Sequence, residues 1–208
     1  MCEIDSLSDV LKFKTRYNGF IFDLDDTLYA EKDYVKSGYK KIADTFADSE
    51  IVYNMLWNFF LEEKNAIDEM LKQKKQYSEE NKVKYLKIYR EQIPDIQMYP
   101  EAKNVLSILI REGKKIGIIT DGRVEGQKAK IQALGLQRII QDIIITDALG
   151  GIQFRKPNEY AFVLMKERWQ LPFFDMVYIG DNIKKDFIAP KQLGMGTVWF
   201  HNKDGLYQ

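Results

Sequence analysis

Two aspartates, separated by one residue, follow a short apolar run near the start of the chain. The run Phe20–Phe22 leads directly to Asp23, and Asp25 stands two residues further on. In an open parallel sheet, ligands bind beyond the carboxyl ends of the strands, so this acidic pair is placed for ligand binding. An acidic turn that caps backbone amides would have the same composition. A calcium loop is excluded, because Leu28 and Tyr34 stand where that loop needs glycine and a bidentate glutamate.

Three further segments place polar groups beside apolar runs or turns. Thr120–Gly122 ends one run, Lys156 is held extended by Pro157, and Asp181 and Asp186 follow another run and a glycine. Two of these segments also have ordinary structural explanations. A threonine that caps a helix would look like Thr120, and most lysines, such as Lys156, are solvated surface groups. A prediction of function therefore depends on all the segments taken together.

Apolar runs and amphipathic stretches alternate along the chain, and the strands and helices that they predict must position these groups. Apolar runs predict five buried strands, at Gly19–Phe22, Ile116–Ile119, Ile143–Ile145, Met176–Ile179 and Thr197–Phe200. Amphipathic stretches between them predict helices at Glu101–Arg111, Val124–Leu134 and Asn158–Trp169. Strands that are apolar on both faces are typical of parallel sheets covered by helices on each side. The alternation predicts an α/β fold.

The alternation is interrupted between Tyr29 and Met98, where no strand-like run occurs. Apolar residues there recur at helical spacing, and Ser78 followed by two glutamates is typical of a helix start. We expect three or four helices inserted after the first strand.

Composition limits the classes of function. The 208 residues suffice for one core domain with a modest insertion. Lysine plus arginine equals aspartate plus glutamate at 31 each, so no overall field attracts nucleic acid or an anionic membrane, and neither is expected as a partner. The single cysteine, Cys2, fits a reducing compartment, and neither a secretory signal nor a membrane span is recognisable. We expect a cytoplasmic protein; composition predicts no oligomeric state.

Together and in this order, the four segments resemble the motifs of the haloacid dehalogenase-like hydrolase superfamily, in its phosphatase branch. The resemblance covers residues 18–29 and about 98–208. It implies a Rossmann-like parallel sheet with strand order 5-4-1-2-3, in which strand one carries Asp23 and strand four carries Asp181. It also implies a catalytic core formed by residues 1–29 and 98–208, with an inserted α-helical cap at 30–97.

The resemblance also implies a role for each matching residue. Asp23 would be the nucleophile and Asp25 the acid/base, while Thr120 and Lys156 hold the phosphoryl oxygens. A Mg²⁺ ion would be bound by the carboxylates of Asp23 and Asp181 and by the main-chain carbonyl of Asp25. The remaining implied positions are the substrate contacts Asp121, Gly122 and Arg123, and the groups that support the metal ligands, Asp186, Thr27 and Asn182.

Charge shows why a metal ion is expected. Asp23, Asp181 and Asp186 with a phosphate dianion carry about −5, and Lys156 with a divalent cation leaves roughly −2. Magnesium suits an all-oxygen ligand set without histidine or cysteine. Asp25 must keep a proton near neutral pH, and a neighbouring carboxylate with the substrate anion is expected to raise its pKa.

The sequence predicts a Mg²⁺-dependent phosphomonoesterase that acts on a small phosphorylated metabolite, such as a sugar phosphate or nucleotide, through a phosphoaspartate on Asp23. The acid at position 25 argues against dehalogenase or phosphonatase chemistry. A sugar phosphomutase of the same superfamily and a non-catalytic relative that binds a phosphorylated ligand remain alternatives. A signalling receiver domain is disfavoured, because its phosphorylated aspartate ends the third strand.

Overall fold

The computed structural model describes residues 1–206, which form two compact units. The first contains Met1–Glu31 and the chain from Gln97 onward, and the second contains Lys32–Ile96. That the first unit is the catalytic core and the second a cap stays a prediction. No helix among residues 1–206 has both the length and the apolar character that a membrane crossing needs.

The first unit is built on a six-stranded, all-parallel sheet. Its strands are β1 (Cys2–Ile4), β2 (Gly19–Phe22), β3 (Lys115–Thr120), β4 (Asp142–Ile145), β5 (Met176–Gly180) and β6 (Gly196–Phe200). Their order across the sheet is β1-β6-β5-β2-β3-β4. The predicted order 5-4-1-2-3 is confirmed for β6, β5, β2, β3 and β4. The edge strand β1 was not predicted, because it has three residues, two of them exposed.

The helices connect these strands or lie between β2 and β3. They are α1 (Glu31–Ala43), α2 (Ser49–Leu61), α3 (Ala66–Gln73), α4 (Glu79–Arg90), α5 (Pro100–Arg111), α6 (Val124–Ala133), α7 (Tyr160–Trp169) and α8 (Ile188–Gln192). Short 3-10 helices occur at Leu7–Phe13, Leu136–Arg138, Thr146–Leu149, Ile152–Phe154 and Phe173–Asp175. The predicted helix at Asn158 begins two residues later, where the Asn158 side chain accepts a hydrogen bond of 2.8 Å from the amide of Tyr160.

One apolar core lies between the sheet and α7. Ile21, Ile119 and Tyr178 pack there with Phe162 and Trp169, all buried. A glycine in the sheet allows this close approach, since a Cβ atom at Gly117 would lie 2.8 Å from the buried Trp169 ring. Because β2 is flanked by β3 and β5 and covered in this way, it is buried along its whole length.

The second unit consists of α1 to α4 around a core of its own. Its fully buried side chains include Ile42, Val52, Leu56 and Met70. The predicted start at Ser78 is confirmed, because the Ser78 hydroxyl accepts a hydrogen bond from the amide of Asn81 at 3.1 Å and so caps α4.

Candidate active site

Parallel pairing brings three of the four sequence segments to one edge of the sheet. Phe22 at the end of β2 is in register with Ile118 on β3 and Ile179 on β5. The residue after β2 is Asp23, whose amide donates a 2.8 Å hydrogen bond to the carbonyl of Ile179. The groups that follow β2, β3 and β5 therefore emerge side by side, as the carboxyl ends of parallel strands must.

Three buried carboxylates meet at this edge. Oxygens of Asp23, Asp181 and Asp186 all lie within 4.8 Å of one another. The Thr27 hydroxyl donates to Oδ1 of Asp181 at 3.3 Å, whereas the buried Oδ2 of Asp181 has no hydrogen-bond partner. A buried oxygen left without a donor is costly unless a cation or water satisfies it. These oxygens suit a hard divalent cation.

The pKa values of the cluster follow from this crowding. Burial raises the pKa of Asp23 to about 7, although the Lys156 ammonium opposes the rise. Burial, with the charges of Asp23 and Asp186, raises the pKa of Asp181 to about 8. A carboxyl group in water has a pKa near ~4, and the sequence motif does not reveal the burial that raises it here. A bound divalent cation would favour the charged form of both groups.

Lys156 lies inside the same cluster. Its Nζ is 2.8 Å from Oδ1 of Asp23 and 2.9 Å from Oδ1 of Asp186, and it donates to the Tyr178 hydroxyl at 2.8 Å. The side chain is 1% exposed. Burial acts to lower the pKa of Lys156, but Asp186 and Asp23 raise it well above its usual value, so the group stays charged.

Two polar contacts hold the segments that carry these groups. Oδ1 of Asp121 accepts a 3.1 Å hydrogen bond from the amide of Lys156, which ties the second segment to the third. Oδ2 of Asp186 accepts a 3.0 Å hydrogen bond from the amide of Asn182, which closes the turn after β5. That turn also needs Gly180, because a Cβ atom there would lie 2.4 Å from Oδ2 of Asp186. Asp121 and Asn182 thus fix the positions of Lys156 and Asp186.

Asp25 has partners that its sequence motif does not reveal. Its Oδ1 accepts hydrogen bonds from Lys130 at 2.7 Å and from the Tyr29 hydroxyl, and its Oδ2 accepts one from Gln127 at 2.9 Å. The predicted rise in the pKa of Asp25 is wrong for this structure. Burial acts to raise it, but Lys130 and the three hydrogen bonds together lower it. Gln127 and Lys130 stand three residues apart and so share one face of α6, but nothing in the sequence indicates that this face packs against Asp25.

A cavity of about 290 Å³ opens onto these groups. It is lined by Asp23, Asp25, Glu31, Asp121, Arg155, Lys156, Asp181, Asn182 and Lys185.

Of the remaining predicted residues, Thr120 is fully buried with its hydroxyl against the Gln127 amide, and Arg123 is exposed before α6. Gly122 adopts a φ of +140°, which favours glycine. Lys185 and Arg155, which were given no role from the sequence, pair with Asp121 and Asp147 respectively.

The sequence of this sheet and site matches one family over most of the chain. The model of the haloacid dehalogenase-like hydrolases matches residues 20–200. The chain therefore belongs to the haloacid dehalogenase-like hydrolase family.

Proteins similar to this chain include several named as phosphatases. This chain is 28% identical over 197 residues to glyceraldehyde 3-phosphate phosphatase of Methanocaldococcus jannaschii. The aligned region covers 86% of this chain and 83% of that protein. This chain is also 29% identical over 108 residues to ribulose-1,5-bisphosphate 5-phosphatase of Halopiger xanaduensis. That aligned region covers 52% of this chain and 44% of that protein.

A solved structure has the same fold. The HAD-hydrolase YfnB from Bacillus subtilis, described as bound to magnesium, aligns over 88% of this chain and 86% of its own. The TM-score is 0.61 at 21% sequence identity. At that identity the likeness extends to the fold alone.

Proposed function

We propose that this chain is a Mg²⁺-dependent phosphomonoesterase that forms a phosphoaspartate on Asp23 and hydrolyses it. The observation that carries the proposal is the buried Lys156 ammonium, which lies 2.8 Å from Asp23 and 2.9 Å from Asp186, two of the three carboxylates whose oxygens lie within 4.8 Å of one another. A nucleophilic carboxylate beside a fixed cation is what attack on a phosphate dianion requires. The relatives named as phosphatases support the same reaction.

Asp23 and Lys156 would carry out the first step together. The Asp23 carboxylate attacks phosphorus while the leaving oxygen departs on the opposite side. Lys156 offsets charge on the phosphoryl oxygens, and its contacts with Asp186 and Tyr178 hold it in place before the substrate arrives. Thr120, Asp121, Gly122 and Arg123 stay proposed as further substrate contacts.

The residues present fit a magnesium site. The carboxylates of Asp23 and Asp181 and the main-chain carbonyl of Asp25 would hold the ion, with Asp186, Thr27 and Asn182 supporting them. The unpartnered Oδ2 of Asp181 is the observation that favours a bound cation. When bound, Mg²⁺ supplies positive charge that offsets the carboxylates and the phosphate.

Asp25 is proposed as the acid and base. Its carboxyl gives a proton to the leaving oxygen, and its carboxylate later takes a proton from the water that attacks the phosphoaspartate. An approaching phosphate dianion acts to raise the pKa of this group, against the effect of Lys130. The proton that Asp25 loses in the first step is thus recovered in the second.

A small phosphorylated metabolite is the proposed substrate. A cavity of about 290 Å³ suits a small molecule, and the two relatives described above are named for glyceraldehyde 3-phosphate and ribulose-1,5-bisphosphate. We also propose that the second unit is the cap that the family resemblance implies. A cytoplasmic location stays a prediction from the sequence.

The test is phosphate release by the purified protein from p-nitrophenyl phosphate and from a panel of sugar phosphates, with Mg²⁺ or with a chelator. We expect turnover only with Mg²⁺, and none from Asp23→Asn in protein that is folded by circular dichroism. Glu167→Gln is the matched control, since it removes an exposed carboxylate from α7. Turnover by Asp23→Asn at the level of this control would refute the nucleophile assignment.

A further inference from the structure

Two side chains of α6 reach the carboxylate of Asp25 from about one hundred residues away in the chain. Lys130 Nζ is 2.7 Å from Oδ1, and Gln127 Nε2 is 2.9 Å from Oδ2. The Tyr29 hydroxyl also donates to Oδ1. Both oxygens of Asp25 are therefore held, by donors on α6 and in the loop after β2.

Lys130 is unusual because it is a lysine at a buried position of α6. Its side chain is 8% exposed and that of Asp25 is 17% exposed, whereas Lys128 on the same helix is exposed. Burying an ion pair costs desolvation that its attraction often fails to repay, and an apolar pair is often at least as stable. Stability alone therefore gives little reason for a lysine here.

Gln127 contacts a second proposed site residue. The same amide nitrogen that donates to Asp25 also donates to the Thr120 hydroxyl. Gln127 thus links the end of β3 to the loop after β2, and it is 3% exposed. A rotation of Asp25 about its side-chain bonds would break the contacts with Lys130 and Gln127 together.

We propose that Lys130 and Gln127 are positioning residues that hold the carboxyl group of Asp25 where it exchanges protons with the leaving group and with water. This rests on the proposed phosphatase function. In the first step the phosphorus–oxygen bond to the leaving group breaks, its oxygen takes the proton of Asp25, and a bond from phosphorus to Asp23 forms. In the second step Asp25 takes a proton from water, whose oxygen replaces Asp23 on phosphorus.

The leaving group distinguishes positioning from a merely structural role. An alkoxide needs a proton as it leaves, whereas p-nitrophenolate leaves readily without one. Misplacement of Asp25 should therefore slow the first step for alkyl phosphates far more than for p-nitrophenyl phosphate. The quantity to measure is kcat/KM, because it reports the first phosphoryl transfer.

The experiment compares Lys130→Met, Lys130→Arg and Gln127→Leu with the wild type and with Lys128→Met as the matched control. The substrates are p-nitrophenyl phosphate and the alkyl phosphate that the wild type hydrolyses fastest. For Lys130→Met we expect kcat/KM to fall about 10²-fold with the alkyl phosphate and severalfold with the aryl ester. The loss of position outweighs the rise in the pKa of Asp25 that removal of the ammonium produces. Gln127→Leu should show the same bias, and Lys130→Arg should recover most of the loss.

Equal losses on both substrates, or none, would overturn the inference. Should Lys130→Met fail to fold, Gln127→Leu decides the question by the same ratio. Failure of the proposed function looks different, since the wild type would then release no phosphate or Asp23→Asn would stay active. An active wild type with unbiased variants refutes only the role of α6.

Discussion

Replacing Lys156 by methionine should destabilise the protein strongly. The ammonium is 1% exposed and lies 2.8 Å from Asp23 and 2.9 Å from Asp186. Removing one partner of a buried ion pair leaves uncompensated charge and costs about 3–5 kcal/mol. For a chain of 208 residues this corresponds to a fall of about 6–20 °C in the unfolding midpoint.

The assay is urea and thermal unfolding of the metal-free protein, followed by circular dichroism. Lys128→Met is the control, since an exposed lysine should change the free energy of unfolding by less than about 0.5 kcal/mol. Adding Asp186→Asn should cost less in the Lys156→Met protein than in the wild type, because it removes a carboxylate that has lost its counter-charge. A loss below about 1 kcal/mol for Lys156→Met, or additive double-mutant energies, would refute this reasoning.

Three further predictions concern the turn after β5, the metal and the loop after β2. Gly180→Ala places a Cβ atom 2.4 Å from Oδ2 of Asp186, so we expect a loss of about 1–3 kcal/mol in urea unfolding and a fall in kcat; unchanged values would contradict the steric argument. Mg²⁺ at about 100 times its dissociation constant should stabilise the wild type by about 2.7 kcal/mol in thermal unfolding, and equal stabilisation of Asp181→Asn would argue against this ligand. Asn202 donates to the carbonyl of Asp26 at 2.7 Å, so Asn202→Ala should cost about 1 kcal/mol in urea unfolding, and a neutral effect would mean that this contact does not hold the loop.

The sequence predicted the centre of the sheet because its strands are buried on both faces. Gly19–Phe22 was predicted to the residue, since a short apolar run bounded by a glycine and an aspartate is typical of a buried strand. β1 was missed because a short edge strand with exposed residues lacks that pattern. The strand order came from the family resemblance and not from the periodicity, which does not determine which strands pair.

For the site, the sequence motifs identified the groups that follow strands together with Lys156, and they missed the groups that lie on α6. Asp23 stands directly after an apolar run and Asp181 follows another run after one glycine, and the structure brings their carboxylates together. Lys130 and Gln127 lie within an ordinary helix, so their contact with Asp25 depends on how α6 packs. The pKa of Asp25 was mispredicted for the same reason, because Lys130 and the other donors that lower it were not recognised.

The central claim is that Asp23 becomes covalently phosphorylated. The direct measurement is to mix the protein with substrate and Mg²⁺, quench within the first turnovers, reduce with borohydride and map the modified residue by peptide mass spectrometry. We expect reduction to convert the aspartyl phosphate at position 23 to homoserine in the wild type with substrate, and not in the protein without substrate. Modification at another residue, or phosphate release with Asp23 unmodified throughout, would contradict it.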